Sequence, residues 1–245
     1  MRTSEDPDYC APCRSSSPQA VCWIILGLVA MGCVMWFTRI GKENLAEMAQ
    51  MDLRETKPMP LSGTLTQLIE SNREKLVATQ AHPLLGKPAP DFTLKDADGN
   101  DVRLSEKLKK GPVVLVFYLG YWCDHCVSQL FGLNEDYNYF RETGAEVLAV
   151  SSDPIQLTQE RYAEYGRFKF PVLTDPDHLI AQKFGVYAPA GEGRKEWEIH
   201  GTYVINSQGI IIWAQTGKKP FTGNPTLLTE LAGLSSSLPA PSKPE

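Results

Sequence analysis

Residues 113–118, Val-Val-Leu-Val-Phe-Tyr, form an unbroken apolar run, the pattern of a central β-strand covered on both faces. From Val127 through Leu130 and Phe131 to Phe140 the apolar positions recur at helical spacing, which predicts a helix. A second buried strand is expected at residues 146–151, a helix at 155–165, a short extended piece at 170–173 and a helix at 178–184. Residues 92–94 and 102–104 flank Asp98-Gly99-Asn100, a hairpin turn signal. Residues 202–205 and 210–213 do the same around Asn206-Ser207-Gln208-Gly209, and residues 226–234 close the series as a helix. Strand–helix–strand followed by a strand hairpin and a helix predicts an α/β domain over residues 84–234, a three-layer sandwich with a central mixed sheet flanked by helices.

The chain ahead of this domain has a different pattern. No charged residue occurs from Ser15 to Thr38, and residues 21–37 are almost wholly apolar. At ~1.5 Å per residue that core spans about 26 Å, near the ~30 Å of a hydrocarbon layer. Trp23 and Trp36 sit near its ends, where aromatic rings favour the interface. No small-x-small cleavage site follows the run, so residues 21–38 are expected to be a transmembrane helix in contact with the lipid bilayer rather than a removed signal peptide. Residues 1–20 read as a polar tail, 39–83 as a helical stalk that packs loosely on the domain, and 235–245 as a disordered tail. Within the stalk, Leu65, Leu68, Ile69, Leu76 and Val77 lie at helical spacing. The expected topology is single-pass, with the domain extracytoplasmic. A count of Arg2 and Arg14 against Arg39, Lys42, Arg54 and Lys57 argues the opposite way.

The net charge of −5 supplies no basic stripe for phosphates, which excludes nucleic acid as a partner. Six cysteines occur, and only Cys123 and Cys126 fall in the domain. A structural disulfide framework would look different. Closed structural zinc needs four ligands, so no metal is expected. No motif for haem or a nucleotide occurs, and no cofactor is expected. Tyr121-Trp122-Cys123-Asp124-His125-Cys126 directly follows the buried strand and opens the helix. Unpaired N–H groups and the positive dipole end at a helix start favour thiolate over thiol, so this position predicts a redox-active dithiol of the thioredoxin-like kind. Cys10 and Cys13 read as spectators, and Cys22 and Cys33 as small apolar residues.

The residues Gly86-Lys87-Pro88-Ala89-Pro90-Asp91-Phe92-Thr93-Leu94, the strand at 113–118, Val150-Ser151-Ser152-Asp153, Phe170-Pro171-Val172-Leu173-Thr174-Asp175 and Gly201-Thr202-Tyr203-Val204-Ile205 together resemble the peroxiredoxin-like AhpC/TSA family (alkyl hydroperoxide reductase and thiol-specific antioxidant) of the thioredoxin superfamily. The resemblance implies a thioredoxin-like fold and an antioxidant thiol oxidoreductase. In its register Cys126 takes the peroxidatic position, Gln129 stands where Glu or Gln usually follows, and Cys123 replaces a Thr or Ser. Leu119 replaces the loop Pro, and His200 falls near the family's Arg. The thioredoxin pattern instead makes Cys123 the attacking thiolate, preceded by Trp122, with Cys126 resolving. In that pattern His125 resembles the tuning residue of oxidising members, Asp124 opposes it, and Gly201 before Thr202 stands where a cis-proline is usual.

His200 reads as a structural or rim residue. The catalytic pair is Cys123 and Cys126, with Trp122, His125, Gln129, His200, Gly201 and Thr202 in support. The expected activity is a dithiol–disulfide cycle that reduces hydroperoxides or disulfides and is reset by an external thiol reductant, thioredoxin-like or membrane-bound. The alternatives are an exchange enzyme acting on protein disulfides, and a non-catalytic docking domain.

Overall fold

The computed structural model describes residues 61–191 and 193–236. The expected membrane span at 21–38, the tail at 1–20, the stalk up to residue 60 and the tail beyond 236 lie outside the described residues. Among the described residues no helix is long and apolar enough to cross a membrane.

Ser62 caps the first helix, α1 (Gly63–Ser71), its hydroxyl accepting from Leu65 N at 3.1 Å. A 3₁₀ turn follows at Arg73–Lys75. The strands and helices then alternate as β1 (Thr93–Asp96), β2 (Asp101–Arg103), α2 (Leu104–Leu108), β3 (Val113–Phe117), α3 (Asp124–Glu135), α4 (Tyr137–Glu142), β4 (Glu146–Ser151), α5 (Ile155–Tyr165) and β5 (Val172–Thr174). The series ends with α6 (Leu179–Lys183), β6 (Tyr187–Ala188), β7 (Trp197–Glu198), β8 (His200–Ile205), β9 (Ile211–Gly217) and α7 (Asn224–Ser236).

Seven strands form one sheet in the order β2-β1-β5-β4-β3-β8-β9, with β3, β4 and β5 parallel and β8 and β9 antiparallel to their neighbours. Every residue of β3, β4 and β8 is buried, because helices cover both faces. The two-residue period of a strand sorts their side chains. Val114, Val116, Val147, Ala149 and Val204 pack with Leu130, Leu133, Phe140, Leu227 and Leu231 on one face. Val113, Leu115, Phe117, Leu148, Tyr203 and Ile205 pack with Ile180 and Phe184 on the other.

The helix expected through Phe140 is divided at Asp136, where the Asn224 side-chain amide donates to Gly132 O and to Asp136 Oδ2 and ties the break to α7. The small β6–β7 hairpin lacks an alternating pattern long enough to predict.

Residues 61–82 do not form a loose spacer. Leu65 is fully buried in the core, and beyond the 3₁₀ turn the chain runs along β9. Gln80 N donates to Ala214 O at 2.9 Å, Ala214 N to the Thr79 hydroxyl at 2.9 Å, and the Trp213 indole N–H to Val77 O at 3.1 Å. This stretch covers the sheet edge that β9 would otherwise expose. Leu65→Ala is therefore expected to destabilise the domain by about 2–5 kcal/mol, measured by denaturant unfolding. A near-neutral result would restore the spacer reading.

Candidate active site

The site lies at the C-terminal end of β3, where the chain must leave the sheet and start α3. Tyr118 N still donates to Val150 O at 3.0 Å, so the parallel pairing holds for one more residue. The turn that follows needs Gly120: its φ is +120°, and a Cβ there would lie 2.9 Å from Asp153 Oδ1 and 3.0 Å from Trp122 Nε1. Asp153, just past β4, fixes this turn by accepting from Tyr121 N at 2.9 Å and from the Ser151 hydroxyl at 3.2 Å. Burial raises the Asp153 carboxyl above its usual value, against the lowering effect of the bonds from Tyr121 N and Ser151.

Cys123 is the N-cap of α3, and its Sγ accepts from Cys126 N at 3.3 Å. The two cysteines are joined in a disulfide, with their Cα atoms 5.3 Å apart. Cys123 is partly exposed, whereas Cys126 is fully buried. The pairing of Phe117 with Gly201 sets the start of β8 beside the end of β3. His200, on the face shared with Thr202, thereby reaches the sulfurs: its Nε2 lies 3.0 Å from Cys126 Sγ and 3.9 Å from Cys123 Sγ.

This corrects the reading of His200 as a structural or rim residue. It is 3% exposed and touches both reactive atoms. Burial lowers its basicity, the nearby His125 lowers it further, and the bond to Gly217 opposes both. Burial thus favours the neutral imidazole. Its Nδ1 lies 3.3 Å from Gly217 O, which can only accept, so Nδ1 carries the proton and Nε2 turns a lone pair toward Cys126.

Gln129, one turn after Cys126, is buried and donates from Nε2 to the Thr202 hydroxyl at 3.0 Å and to Phe221 O at 2.8 Å. These bonds brace α3 against β8 directly behind the dithiol. Gly201 does not join the cluster. Strand alternation turns it to the opposite face, where a Cβ would lie 2.6 Å from Val186 Cγ1 and 2.9 Å from Tyr203 Cε2. Trp122, 73% exposed, and His125 stand on the rim. Cys10, Cys13, Cys22 and Cys33 lie outside the described residues. Three contributors escaped the sequence reading. Asp153 had a signal, its place in the Ser-Ser-Asp motif after a buried strand; the Gly217 and Phe221 carbonyls had none.

A dithiol at a strand–helix junction, faced by a buried imidazole, can pass between thiol and disulfide forms by exchanging two electrons with an oxidised or reduced partner. The AhpC/TSA family matches residues 85–214, more than half of the chain, and the match contains every group just described except Gly217 and Phe221. The chain belongs to the AhpC/TSA family.

Within it, the chain is 31% identical over 159 residues to the chloroplastic peroxiredoxin Q of Oryza sativa subsp. japonica, covering 64% of this chain and 68% of that protein. It is 33% identical over 102 residues to the thiol-disulfide oxidoreductase ResA of Geobacillus thermodenitrificans (strain NG80-2), covering 42% of this chain and 58% of ResA. The crystal structure of peroxidoxin BcpB from Mycobacterium tuberculosis superposes with a TM-score of 0.54 at 28% identity, over 64% of this chain and all of that one. The mixed sheet flanked by helices is thus the thioredoxin-like fold of this AhpC/TSA chain. The chain is a thiol oxidoreductase, and the docking-domain alternative is set aside.

Proposed function

We propose that this AhpC/TSA domain is a thiol–disulfide exchange enzyme in which Cys123 attacks and Cys126 resolves. The observation that carries this reading is the asymmetry of the pair. Cys123 presents an accessible sulfur at a helix N-cap, while Cys126 is fully buried against the imidazole. The backbone N–H of Cys126 stabilises a Cys123 thiolate, as does the helix terminus, although Asp124 in the first turn works against it.

The Cys123 thiolate attacks one sulfur of a substrate disulfide, forms a mixed disulfide and releases the other sulfur as a thiolate, which takes a proton from solvent. His200 Nε2 then accepts the Cys126 thiol proton, and the Cys126 thiolate displaces the second substrate sulfur from Cys123. The substrate gains two electrons and leaves as two thiols, and the enzyme is left with the Cys123–Cys126 disulfide. A dithiol reductant of the thioredoxin class restores the enzyme by the reverse exchange. Trp122 and His125 border the accessible sulfur, where they would meet a docked polypeptide.

A second reading is favoured by the AhpC/TSA register of the motifs and by the likeness to peroxiredoxin Q. There Cys126 attacks a hydroperoxide, becomes a sulfenic acid with release of water or alcohol, and Cys123 condenses with it to give the same disulfide and a second water. The two readings separate by rate. The reduced protein is mixed in turn with a protein disulfide and with hydrogen peroxide, and oxidation is followed by stopped flow. The proposal expects fast oxidation by the disulfide and free-thiol rates with peroxide; the reverse order would establish the peroxidase. The uncharged apolar run at residues 21–38 supports anchorage of the domain in a bilayer as part of the proposal.

A further inference from the structure

The disulfide hides a second capacity of the same three side chains. Cys123 Sγ, Cys126 Sγ and a ring nitrogen of His200 lie within 4.8 Å of one another. In a tetrahedral zinc site with ordinary bond lengths, sulfur and nitrogen ligands stand about 3.6 Å apart. The His200 Nε2 distances of 3.0 and 3.9 Å in the disulfide form bracket that value, and reduction has only to let the two sulfurs part. Two further features match a ligand set. The His200 Nδ1–H bond to Gly217 O fixes the ring so that the Nε2 lone pair faces the sulfurs, the arrangement that orients metal-bound imidazoles. The Cys126 N–H bond to Cys123 Sγ stabilises a ligating thiolate.

We propose that the reduced form binds one zinc ion through Cys123, Cys126 and His200, and that oxidation ejects it. Binding replaces two thiol protons, which leave to solvent, by two Zn–S bonds. The partly exposed flank of Cys123 leaves the fourth position to water or an exogenous ligand, so the site is open and exchangeable. When a small hydroperoxide takes two electrons from the thiolates, its O–O bond breaks, it leaves as an alcohol and water with two protons from solvent, the sulfurs bond to each other and the ion departs. The bound ion therefore blocks Cys123 from attacking substrate, and the redox state of the pair sets whether the ion is held. The expectation from sequence that no metal is bound rested on finding only two ligands; His200 supplies a third.

The test uses the full-length chain in detergent with Cys10→Ser, Cys13→Ser, Cys22→Ser and Cys33→Ser, so that only the domain's thiols remain. Zinc is titrated anaerobically against a chromophoric chelator, and cobalt(II) serves as the spectroscopic probe. The expected result is one ion per reduced chain, none per oxidised chain, sulfur-to-cobalt charge-transfer bands, and at least about tenfold weaker binding after His200→Ala. Should that variant misfold, X-ray absorption on the zinc-loaded chain without it still decides: two sulfurs and one imidazole support the site. An all-sulfur or sulfur-free zinc shell would overturn the proposal, as would unaltered affinity in a folded His200→Ala chain or equal binding by the oxidised form. The inference uses the same three side chains as the exchange reading, but as ligands and not as nucleophiles and base. Titration after chemical reduction needs no substrate, so failure of metal binding leaves exchange standing and failure of exchange leaves the metal site standing.

Discussion

Cys126→Ser is expected to accumulate as a covalent mixed disulfide between Cys123 and substrate, whereas Cys123→Ser loses exchange activity by at least about a thousandfold. The asymmetry follows from position. Cys123 caps α3 and is partly exposed, so the Cys126→Ser chain can still attack but has no sulfur to complete the reaction. In Cys123→Ser the remaining thiol is fully buried behind the helix start, where a bulky disulfide cannot approach along the line of the S–S bond. Mass spectrometry of non-reduced adducts reads both outcomes. Adducts on Cys126 in the Cys123→Ser chain would reverse the assignment.

Loss of the imidazole should act on the second step alone. His200→Ala is expected to slow closure of the Cys123–Cys126 disulfide by about 10²–10⁴-fold, the range of a positioned general base, while the first attack by Cys123 stays within a few-fold of the unaltered chain. Rapid-quench separation of the two steps distinguishes this from general loosening, which would slow both. The pH dependence has a definite sign. In the oxidised form burial holds the His200 pKa below the ordinary imidazole value of 6.5, so the unfolded chain takes up the proton more readily. The contribution of neutral His200 to stability is complete above pH 6.5 and is lost as the pH falls through the lower folded value. His200→Ala should flatten that part of the acid limb in urea titrations of the oxidised protein. An unchanged acid limb would show that the ring is not held neutral by the fold.

Much of this site was legible in the residues. The uninterrupted apolar run at 113–118 could only be a strand covered on both faces, and the Cys-x-x-Cys directly after it had to fall at a strand–helix junction. Helix α5 was expected at 155–165 and is found at Ile155–Tyr165, because its flanking Pro154 and Gly166 mark both ends. His200 was less legible. Its proximity to the sulfurs depends on the register that sets Phe117 against Gly201 across two strands far apart in sequence, and no local pattern encodes that register. Gly201 erred in the other direction: adjacent to the site in sequence, it faces the opposite side of the sheet by strand alternation. The docking of residues 61–82 was hidden for a similar reason. The apolar spacing from Leu65 to Val77 signalled a helix but not its packing partner, and the polar hydrogen bonds of Thr79 and Gln80 to the edge of β9 carry no periodic signal.

The most direct test of the account is sub-stoichiometric alkylation of the reduced full-length chain, with the modified cysteine identified by peptide mapping. Iodoacetamide reports the accessible thiolate, and the geometry predicts that Cys123 is modified well ahead of Cys126 near neutral pH. Preferential modification of Cys126 would contradict the proposed order of attack and place the peroxidatic register in its stead.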